Sequence, residues 1–231
     1  MKVHSSDALV LRTYRYGEAD RIVVFLTADH GKKRGVAKNA SKSRRRFGGA
    51  LEPLTRGRAH FVEREGRDLV RLERIEPKRS PMQIGLEMLR GGEAALQEDP
   101  ASTLAHASYF AELIDEWSPD NAANERLFRL GAGVGDALGR GGSMEALARY
   151  FEFWLLRLEG VYPAISDMDV SSEARDFLTV ARRTTPRQVL KHGAGRRALR
   201  ELERAHQRMI SMHLEKELKS ARIVRELRRD S

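Results

Sequence analysis

The densest group of side chains that could do chemistry is the basic segment from Lys32 to Arg46, KKRGVAKNASKSRRR. Charges this close repel one another, and they gain when contact with a phosphate backbone releases its counterions. Arginine can in addition hold a phosphate through two hydrogen bonds. Glycine, asparagine and serine between the charges favour a flexible loop over a helix. The segment therefore predicts a nucleic-acid-binding loop, with these candidate contacts: Lys32, Lys33, Arg34, Lys38, Lys42, Arg44, Arg45 and Arg46.

Aromatic residues stand next to this segment. Phe47 follows it directly. Tyr14 and Tyr16 precede the segment in sequence and lie at a neighbouring turn. An aromatic ring beside a cationic groove can stack on an unpaired base, which contributes ~1–3 kcal/mol per base. Phe47 is therefore a further DNA-contact candidate. The alternative is that Phe47 is a core residue that closes the loop.

Other kinds of chemistry have little support. The chain has no cysteine, which excludes disulfides, thiolate zinc sites and cysteine nucleophiles. It has no GxxxxGK phosphate loop and no HExxH pattern. Asp167 and Asp169, with Glu173 nearby, could hold Mg²⁺ and leave a nuclease as a weak alternative. We expect no enzyme activity, no metal and no cofactor.

The charge is divided unevenly along the 231 residues, which carry +9 overall. Residues 1–80 hold 20 basic and 10 acidic residues, residues 81–176 hold 7 and 17, and residues 177–231 hold 15 and 6. Two basic ends thus flank an acidic middle, and a polyanion is the natural partner of the ends. No run of eighteen apolar residues and no secretory leader pattern is present. We expect a cytoplasmic, nucleoid-associated protein with no membrane contact.

The first eighty residues have the pattern of short strands separated by turns. Apolar and β-branched runs predict five strands at Ala8–Tyr14, Arg21–Thr27, Lys32–Lys38, Leu54–Glu63 and Leu69–Glu76. Five strands with long basic loops suit a small closed barrel. The pattern favours an OB-fold and leaves an SH3-like barrel open.

Beyond Pro81 the apolar period changes to that of helices. An apolar stripe from Leu147 to Leu158 predicts a central buried helix that ends before Gly160. Further helical patterns cover residues 84–97, 102–117, 123–138, 173–183 and 197–228. The predicted fold class is α+β, with an N-terminal OB-fold β-barrel at 1–80 and an all-helical domain at 81–231.

Several motifs, in order along the chain, resemble those of the RecO family of recombination mediators. The N-terminal block includes YGEAD at 16–20, HGK at 30–32 and FGG at 47–49, and it ends with LEP at 51–53. Supportive matches are YFAEL at 109–113 and LEKELKSAR at 214–222, and the block FEFWLLRLEGVYP at 151–163 is specific. The resemblance covers nearly the whole chain.

The resemblance implies a DNA-repair protein without catalysis. RecO-like proteins bind single- and double-stranded DNA and anneal complementary strands. They engage the acidic C-terminal tail of single-stranded-DNA-binding protein and, with RecR, help to load RecA. Candidates for binding that tail are basic and apolar residues of the helical domain: Arg126, Phe128, Arg129, Arg208, Lys216, Lys219 and Arg222. The alternative is a general RNA- or ribosome-binding module without mediator activity.

The chain departs from the family pattern at one place. Many relatives carry a four-cysteine zinc site just after the counterpart of Tyr162-Pro163. Here that stretch reads PAISDMDVSSEARDF, so the zinc module is absent. We expect a helix that starts near Ser172, capped by Ser171 or Ser172, in its place.

Overall fold

The computed structural model describes residues 1–90, 100–214 and 218–227, and its N-terminal part is a five-stranded barrel. The strands are β1 (Lys2–Tyr16), β2 (Asp20–Thr27), β3 (Gly31–Ala37), β4 (Arg56–Glu63) and β5 (Val70–Arg79). A single helical turn, α1 (Arg44–Phe47), lies between β3 and β4. Each predicted strand is present, but β1 begins at Lys2 rather than Ala8, because the polar stretch KVHSSD pairs with β4.

The barrel closes in the order β1-β2-β3-β5-β4. The first half of β1 pairs with β4 and its second half with β2, and a bulge between Val10 and Arg12 lets the strand bend between them. The closing pair, β3 with β5, is parallel. This five-stranded closed arrangement is that of an OB-fold, which confirms the prediction and removes the SH3-like alternative.

The two sides of the sheet face different cores. Val10, Phe25, Phe61 and Leu72 fill the barrel interior. On the outer side, Leu9, Leu11, Val24 and Leu26 join the apolar core of the helical part. The barrel therefore shares a core with the helices that follow it. The domain boundary near residue 80 stays a prediction, and the last strand ends at Arg79 just before a helix begins at Pro81.

The helical part is built around one buried helix. Its first four helices are α2 (Pro81–Arg90), α3 (Pro100–Trp117), α4 (Glu125–Leu138) and α5 (Met144–Leu158), and the later ones are α6 (Ser172–Ala181), α7 (Pro186–Val189), α8 (Arg196–Leu214) and α9 (Lys219–Leu227). Phe151, Phe153, Leu155 and Leu156 of α5 are fully buried, which confirms the buried helix, whereas Trp154 and Leu158 are half-buried. Over the described ranges, no helix is both long and apolar enough to cross a membrane.

The structure differs from the predicted helices at the C-terminal end and agrees with them near Ser172. The single helix expected at 197–228 is wrong, because Leu218 is not helical and separates α8 from α9. The helix expected near Ser172 is confirmed, and Ser171 caps it by accepting a hydrogen bond from the Ala174 amide at 3.3 Å. Met168, just before this helix, is buried in the helical core. Apolar packing and a capped helix thus occupy the stretch that follows Tyr162-Pro163.

A buried polar network lies inside the helical core. Glu152 accepts hydrogen bonds from Tyr109 at 2.7 Å and from Arg149 at 2.6 Å. Its other oxygen lies 2.9 Å from Nδ1 of His206, whose Nε2 lies 2.7 Å from the Tyr162 hydroxyl. The network links α3, α5 and α8, and its polar groups satisfy one another away from water, except that Nε of Arg149 has no hydrogen-bond partner among the described residues.

Candidate nucleic-acid interface

The exposed outer face of the barrel carries aromatic and apolar side chains in a row across the strands. Tyr14 pairs with Ile22, Ile22 with Val36, and Val36 with Arg71. Residues paired in neighbouring strands project to the same face of a sheet. Tyr14 is 46% exposed, and Tyr16, two residues further along the same face, is 49% exposed. We call the residues Tyr14, Tyr16, Ile22 and Val36 the tyrosine face.

A groove of about 530 Å³ lies where the tyrosine face meets helix α3. The barrel supplies one wall and α3 the other, through Arg12, Tyr14, Ile22, Val24, Lys32, Arg34, Leu69, Asp115 and Glu116. Arg12 is held by the acidic wall, 3.0 Å from Asp115 and 3.1 Å from Glu116. Arg34 is held less tightly than Arg12. Its side chain is 54% exposed, and its guanidinium lies 3.7 Å from the Asp120 carboxylate. The groove is therefore lined by an aromatic ring, guanidinium groups and carboxylates.

Two lysines of the basic segment are not in a loop. Lys32 and Lys33 lie in β3, and both are buried. Lys32 donates to the carbonyl of Asp115 at 2.7 Å and lies 3.1 Å from its carboxylate. Lys33 pairs with Glu63 and donates to Asn121 at 2.9 Å. The prediction that these two residues belong to a flexible DNA-binding loop is wrong, because their ammonium groups already serve carboxylates of the protein.

The ion pair of Lys33 also changes the acid that it contacts. The hydrogen bond from Lys33 lowers the pKa of Glu63 below its usual value, and it outweighs burial, which raises that pKa. Glu63 therefore stays ionised and keeps the lysine in place.

Apart from Arg34 in β3, the exposed cations of the segment lie after that strand. Lys38, Lys42 and Arg45 are exposed, and no ion pair is formed by these three within the ranges that the structure covers. The stretch 38–46, here called the basic turn, is attached to the turn between β1 and β2. Asn39 donates its amide to Asp20 at 2.7 Å, and Ser41 donates its amide to the Ala19 carbonyl at 3.1 Å. Because Asp20 pairs with Tyr16, the basic turn lies at the end of the tyrosine face.

The remaining arginines of the basic turn are held differently. Arg46 is half-buried and donates to the Ser43 hydroxyl at 3.0 Å and to the Lys38 carbonyl at 2.7 Å. It thereby braces the turn. The backbone of Arg44 begins α1, and its side chain lies outside the described residues. The part of the segment expected as loop is thus a strand, a turn and a short helix.

Phe47 is a core residue. Its side chain is 3% exposed and packs in the barrel core with Ala37, Ala40 and Ala50. The Arg46 guanidinium lies over its ring, 5.3 Å from the centroid. The interpretation of Phe47 as a base-stacking residue is wrong, and the core alternative is confirmed. The exposed aromatics are Tyr14 and Tyr16, which the alternation in TYRY places on one face of β1.

The candidates for tail binding are distributed over three helices. Arg126 and Arg129 are exposed on α4, but Phe128 between them is 8% exposed and packs into the helical core. Phe128 therefore gives these arginines no accessible apolar pocket, which corrects its assignment. Arg208 on α8 and Lys219 on α9 are exposed, and Arg222 is exposed with Glu226 at 3.4 Å. Lys216 lies outside the described residues.

Asp167 and Asp169 show no assembled metal site. Asp167 ends a short 3₁₀ turn and accepts a hydrogen bond from Ser166 at 2.8 Å. In the portion of the chain that the structure describes, no group of three histidine, aspartate or glutamate side chains is placed to hold a metal ion. The nuclease alternative therefore gains no support from the geometry.

Comparison with known proteins matches both parts of the chain. Residues 1–81 match the family model described as Recombination protein O N terminal, and residues 100–178 match Recombination protein O C terminal. The DNA repair protein RecO of Koribacter versatilis is 41% identical over 171 residues, which cover 74% of this chain and 64% of that protein. The DNA repair protein RecO of Geobacter sulfurreducens is 39% identical over 159 residues, which cover 67% and 57%. The matched region thus spans less than two thirds of these relatives.

Proposed function

This chain belongs to the RecO family of DNA repair proteins, and we propose that it acts as a recombination mediator without catalysis of its own. It binds single- and double-stranded DNA and anneals complementary strands. With RecR it helps to load RecA onto strands coated by single-stranded-DNA-binding protein. It works in the cytoplasm, at the nucleoid, where these partners and DNA meet.

The observation that carries the proposal is the tyrosine face with the basic turn at its end. Two tyrosines, each about half exposed, offer ring faces on which unpaired bases stack. Lys38, Lys42 and Arg45 follow directly and offer charge that no carboxylate of the described residues neutralises. Bases on one side and phosphates on the other are what a single strand presents, so this surface suits single-stranded DNA.

The interaction with the coat protein is proposed for the exposed cations of the helical part. An acidic tail needs lysine or arginine that is not already paired. Arg126 and Arg129 on α4 and Lys219 on α9 meet this condition among the described residues. The apolar end of the tail requires a pocket other than Phe128, which is buried in the core.

The alternative function is a general nucleic-acid-binding module, for RNA or the ribosome. The same tyrosine face and basic turn would serve it, because stacking and phosphate contacts are tolerant of sequence. The helical part would then be a scaffold. Binding of the coat protein's tail separates the two functions.

The test is annealing of complementary oligonucleotides that are already coated with the cognate single-stranded-DNA-binding protein. We expect duplex formation to accelerate with this protein, and the acceleration to be lost with a coat protein that lacks its C-terminal tail. Acceleration on naked strands alone would refute mediator action and favour the general module. Tyr14→Ala combined with Tyr16→Ala should weaken binding of the single strand by about tenfold or more. Val3→Ala, an exposed position on the same strand, is the matched control and should bind like the native protein.

A further inference from the structure

Helix α8 carries a row of arginines, and we propose that this row is a second binding site for the DNA phosphate backbone. The row consists of Arg196, Arg200, Arg204 and Arg208, here called the arginine ridge. The inference rests on the proposed function, because it adds a second DNA segment to the one on the barrel.

The spacing of the ridge places its members on one side of the helix. The four arginines are four residues apart, and residues at this interval are neighbours on a helix surface, about 6 Å apart along the axis. All four are exposed, whereas Leu199, Leu202 and Ile210 on the opposite side are buried. From Arg196 to Arg208 every fully exposed position is an arginine: the four of the ridge and Arg197. The ridge therefore presents only cationic groups over about 18 Å.

The acids of α8 do not neutralise the ridge. Glu201 accepts a hydrogen bond from the Ser171 amide at 3.0 Å and pairs with Arg197 at 3.3 Å. Glu203 lies 3.5 Å from the buried guanidinium of Arg149. Neither acid pairs with a ridge arginine, and no ion pair of the ridge occurs within residues 1–90, 100–214 and 218–227. Four guanidinium groups are thus available to an external anion.

The ridge works against the stability of its own helix. Like charges four residues apart repel each other along a helix. Arg196 and Arg197 also place positive charge at the N-terminus, where the helix dipole favours negative charge, and the carboxylate at this end is that of Glu173 of α6, which accepts a hydrogen bond from the Gly195 amide at 2.6 Å. A bound polyanion would relieve the repulsion along the ridge. The arrangement is therefore suited to an occupied state.

The shape of the ridge favours a nucleic-acid backbone over an acidic peptide. Each strand of a duplex presents a phosphate about every 3.4 Å along its axis, so the 18 Å ridge can follow about five phosphates. An acidic tail with an apolar tip needs an apolar pocket beside its cations. Between Arg196 and Arg208 no apolar side chain is fully exposed. A surface with exposed arginines and no exposed apolar side chain therefore suits a phosphate backbone better than a tail with an apolar tip.

The ridge is separate from the barrel site. Helix α8 packs mainly on α5 and α6, and beyond the ridge its His213 stacks on Trp117 of α3, whereas the barrel packs on α3 and α4 through β1. The ridge also lies beyond residue 178, where the second family match ends. One molecule could therefore hold a single strand on the barrel and a second DNA segment on α8.

The test is capture of a second DNA by the full chain. A biotinylated single strand is immobilised, the protein is added, and retention of a labelled non-complementary duplex is measured over a range of salt. With Arg200→Ala and Arg204→Ala together, we expect duplex retention to fall about tenfold and its salt slope to fall by about two, while affinity for the immobilised strand stays within about twofold. The matched control is Arg182→Ala with Arg183→Ala, two exposed arginines outside α8, which should retain the duplex normally.

The outcomes separate this inference from the proposed function. If the native protein binds neither DNA, the proposed function fails. If it binds the strand and the alanine pair retains the duplex as the native protein does, the ridge is not a DNA site and the proposed function stands. Unchanged duplex retention with loss of binding to a synthetic acidic peptide would make the ridge a protein site and overturn the inference. Because alanine has the highest helix propensity, the alanine pair should leave α8 folded. Arg200→Gln with Arg204→Gln, which retains a long polar side chain but removes the charge, should show the same loss of duplex retention.

Discussion

At the scale of single residues, His206 is a group whose protonation the fold controls. It is fully buried between the Glu152 carboxylate, 2.9 Å from Nδ1, and the Tyr162 hydroxyl, 2.7 Å from Nε2. A neutral ring that donates from Nδ1 and accepts at Nε2 satisfies both partners. Burial lowers the pKa of His206 below its ordinary value of 6.5, and the opposing effect of Glu152 is smaller. The fold thus holds His206 neutral.

Stability should therefore fall as the solution becomes acidic. Below about pH 6.5 the unfolded chain takes up a proton on His206 that the folded chain refuses, so the free energy of unfolding decreases. Glu152 adds a second loss under its ordinary value of 4.5. Burial raises the pKa of Glu152, but the opposing effects of Arg149 and His206 are larger together, so the net pKa is lowered. The carboxylate of the folded protein therefore resists protonation. We expect urea unfolding to give a lower free energy near pH 5.5 than near pH 7.5.

The His206→Gln variant tests the first of these losses. It should be less stable than the native protein near pH 7.5, with a smaller further loss between about pH 7.5 and 5.5, because the titrating group is gone. His192→Gln, at an exposed position, is the control and should keep the native pH dependence. An equal acid loss in native protein and His206→Gln would assign the effect to another group.

At the scale of elements, local pattern was sufficient where one residue type dominates a face. The stripe from Leu147 to Leu158 predicted α5, and the β-branched run RIVVFLT predicted β2. Pattern failed where the partner is distant in sequence. Lys32 and Lys33 look like loop charges because the groups that bind them, Asp115, Asn121 and Glu63, lie 30 to 88 residues away along the chain. The alternation in TYRY is enough to place Tyr14 and Tyr16 of the tyrosine face on one side of β1. That Val36 belongs to the same face follows only from the strand register of the barrel.

Helix α9 depends on a carboxylate from another element. Glu112 of α3 accepts hydrogen bonds from the amides of Lys219, at 3.3 Å, and Ser220, at 2.8 Å, and from the Ser220 hydroxyl. It thereby serves as the N-terminal cap of α9. The same carboxylate lies 3.4 Å from Arg12 of β1, which connects the barrel to this cap. A helix of nine residues has little stability of its own, so the cap is important to it.

Removing the cap should loosen α9 before the rest of the protein. For Glu112→Ala we expect a loss of about 1 kcal/mol in local stability, which corresponds to roughly fivefold faster amide hydrogen exchange in α9. Amides of α5 should exchange at native rates. Arg222→Ala, which removes only the exposed pair with Glu226, is the control and should change exchange little. Uniform acceleration across both helices would show instead that Glu112 supports the whole fold.

At the scale of the whole molecule, the net charge overstates what is available to DNA. The barrel residues are strongly basic and residues 81–176 strongly acidic. Part of this opposition is used where the two parts meet, because Arg12 and Lys32 of the barrel pair with Glu112, Asp115, Glu116 and Asp120. Gly31 adds a close approach at the same junction: its φ is +70°, and a Cβ there would lie 2.5 Å from the Ala122 backbone. The contact between the barrel and the helices is thus both electrostatic and steric.

The lysines of the barrel accordingly fall into two classes, which substitution can separate. Lys32→Ala removes a buried ammonium group from the largely buried Asp115 carboxylate, so we expect it to lower the free energy of unfolding by about 1–3 kcal/mol. The affinity of the folded variant for single-stranded DNA should stay native, because the ammonium group of Lys32 faces Asp115 and not solvent.

Lys38→Ala with Lys42→Ala should have the opposite effects on stability and DNA affinity. Both side chains are exposed, so stability should be unchanged, while DNA affinity falls and the salt slope drops by about 1.4 if each lysine contacts one phosphate.

Urea unfolding and fluorescence anisotropy with a labelled single strand, over a range of salt, measure the two effects on the same preparations. Lys78→Ala, at an exposed lysine that already pairs with Asp7 at 2.8 Å, is the control for loss of one barrel charge. A fall in DNA affinity with folded Lys32→Ala as large as that of the Lys38 and Lys42 pair would contradict the division. It would mean that DNA competes with Asp115 for Lys32, and that the junction between barrel and helices opens when the strand binds.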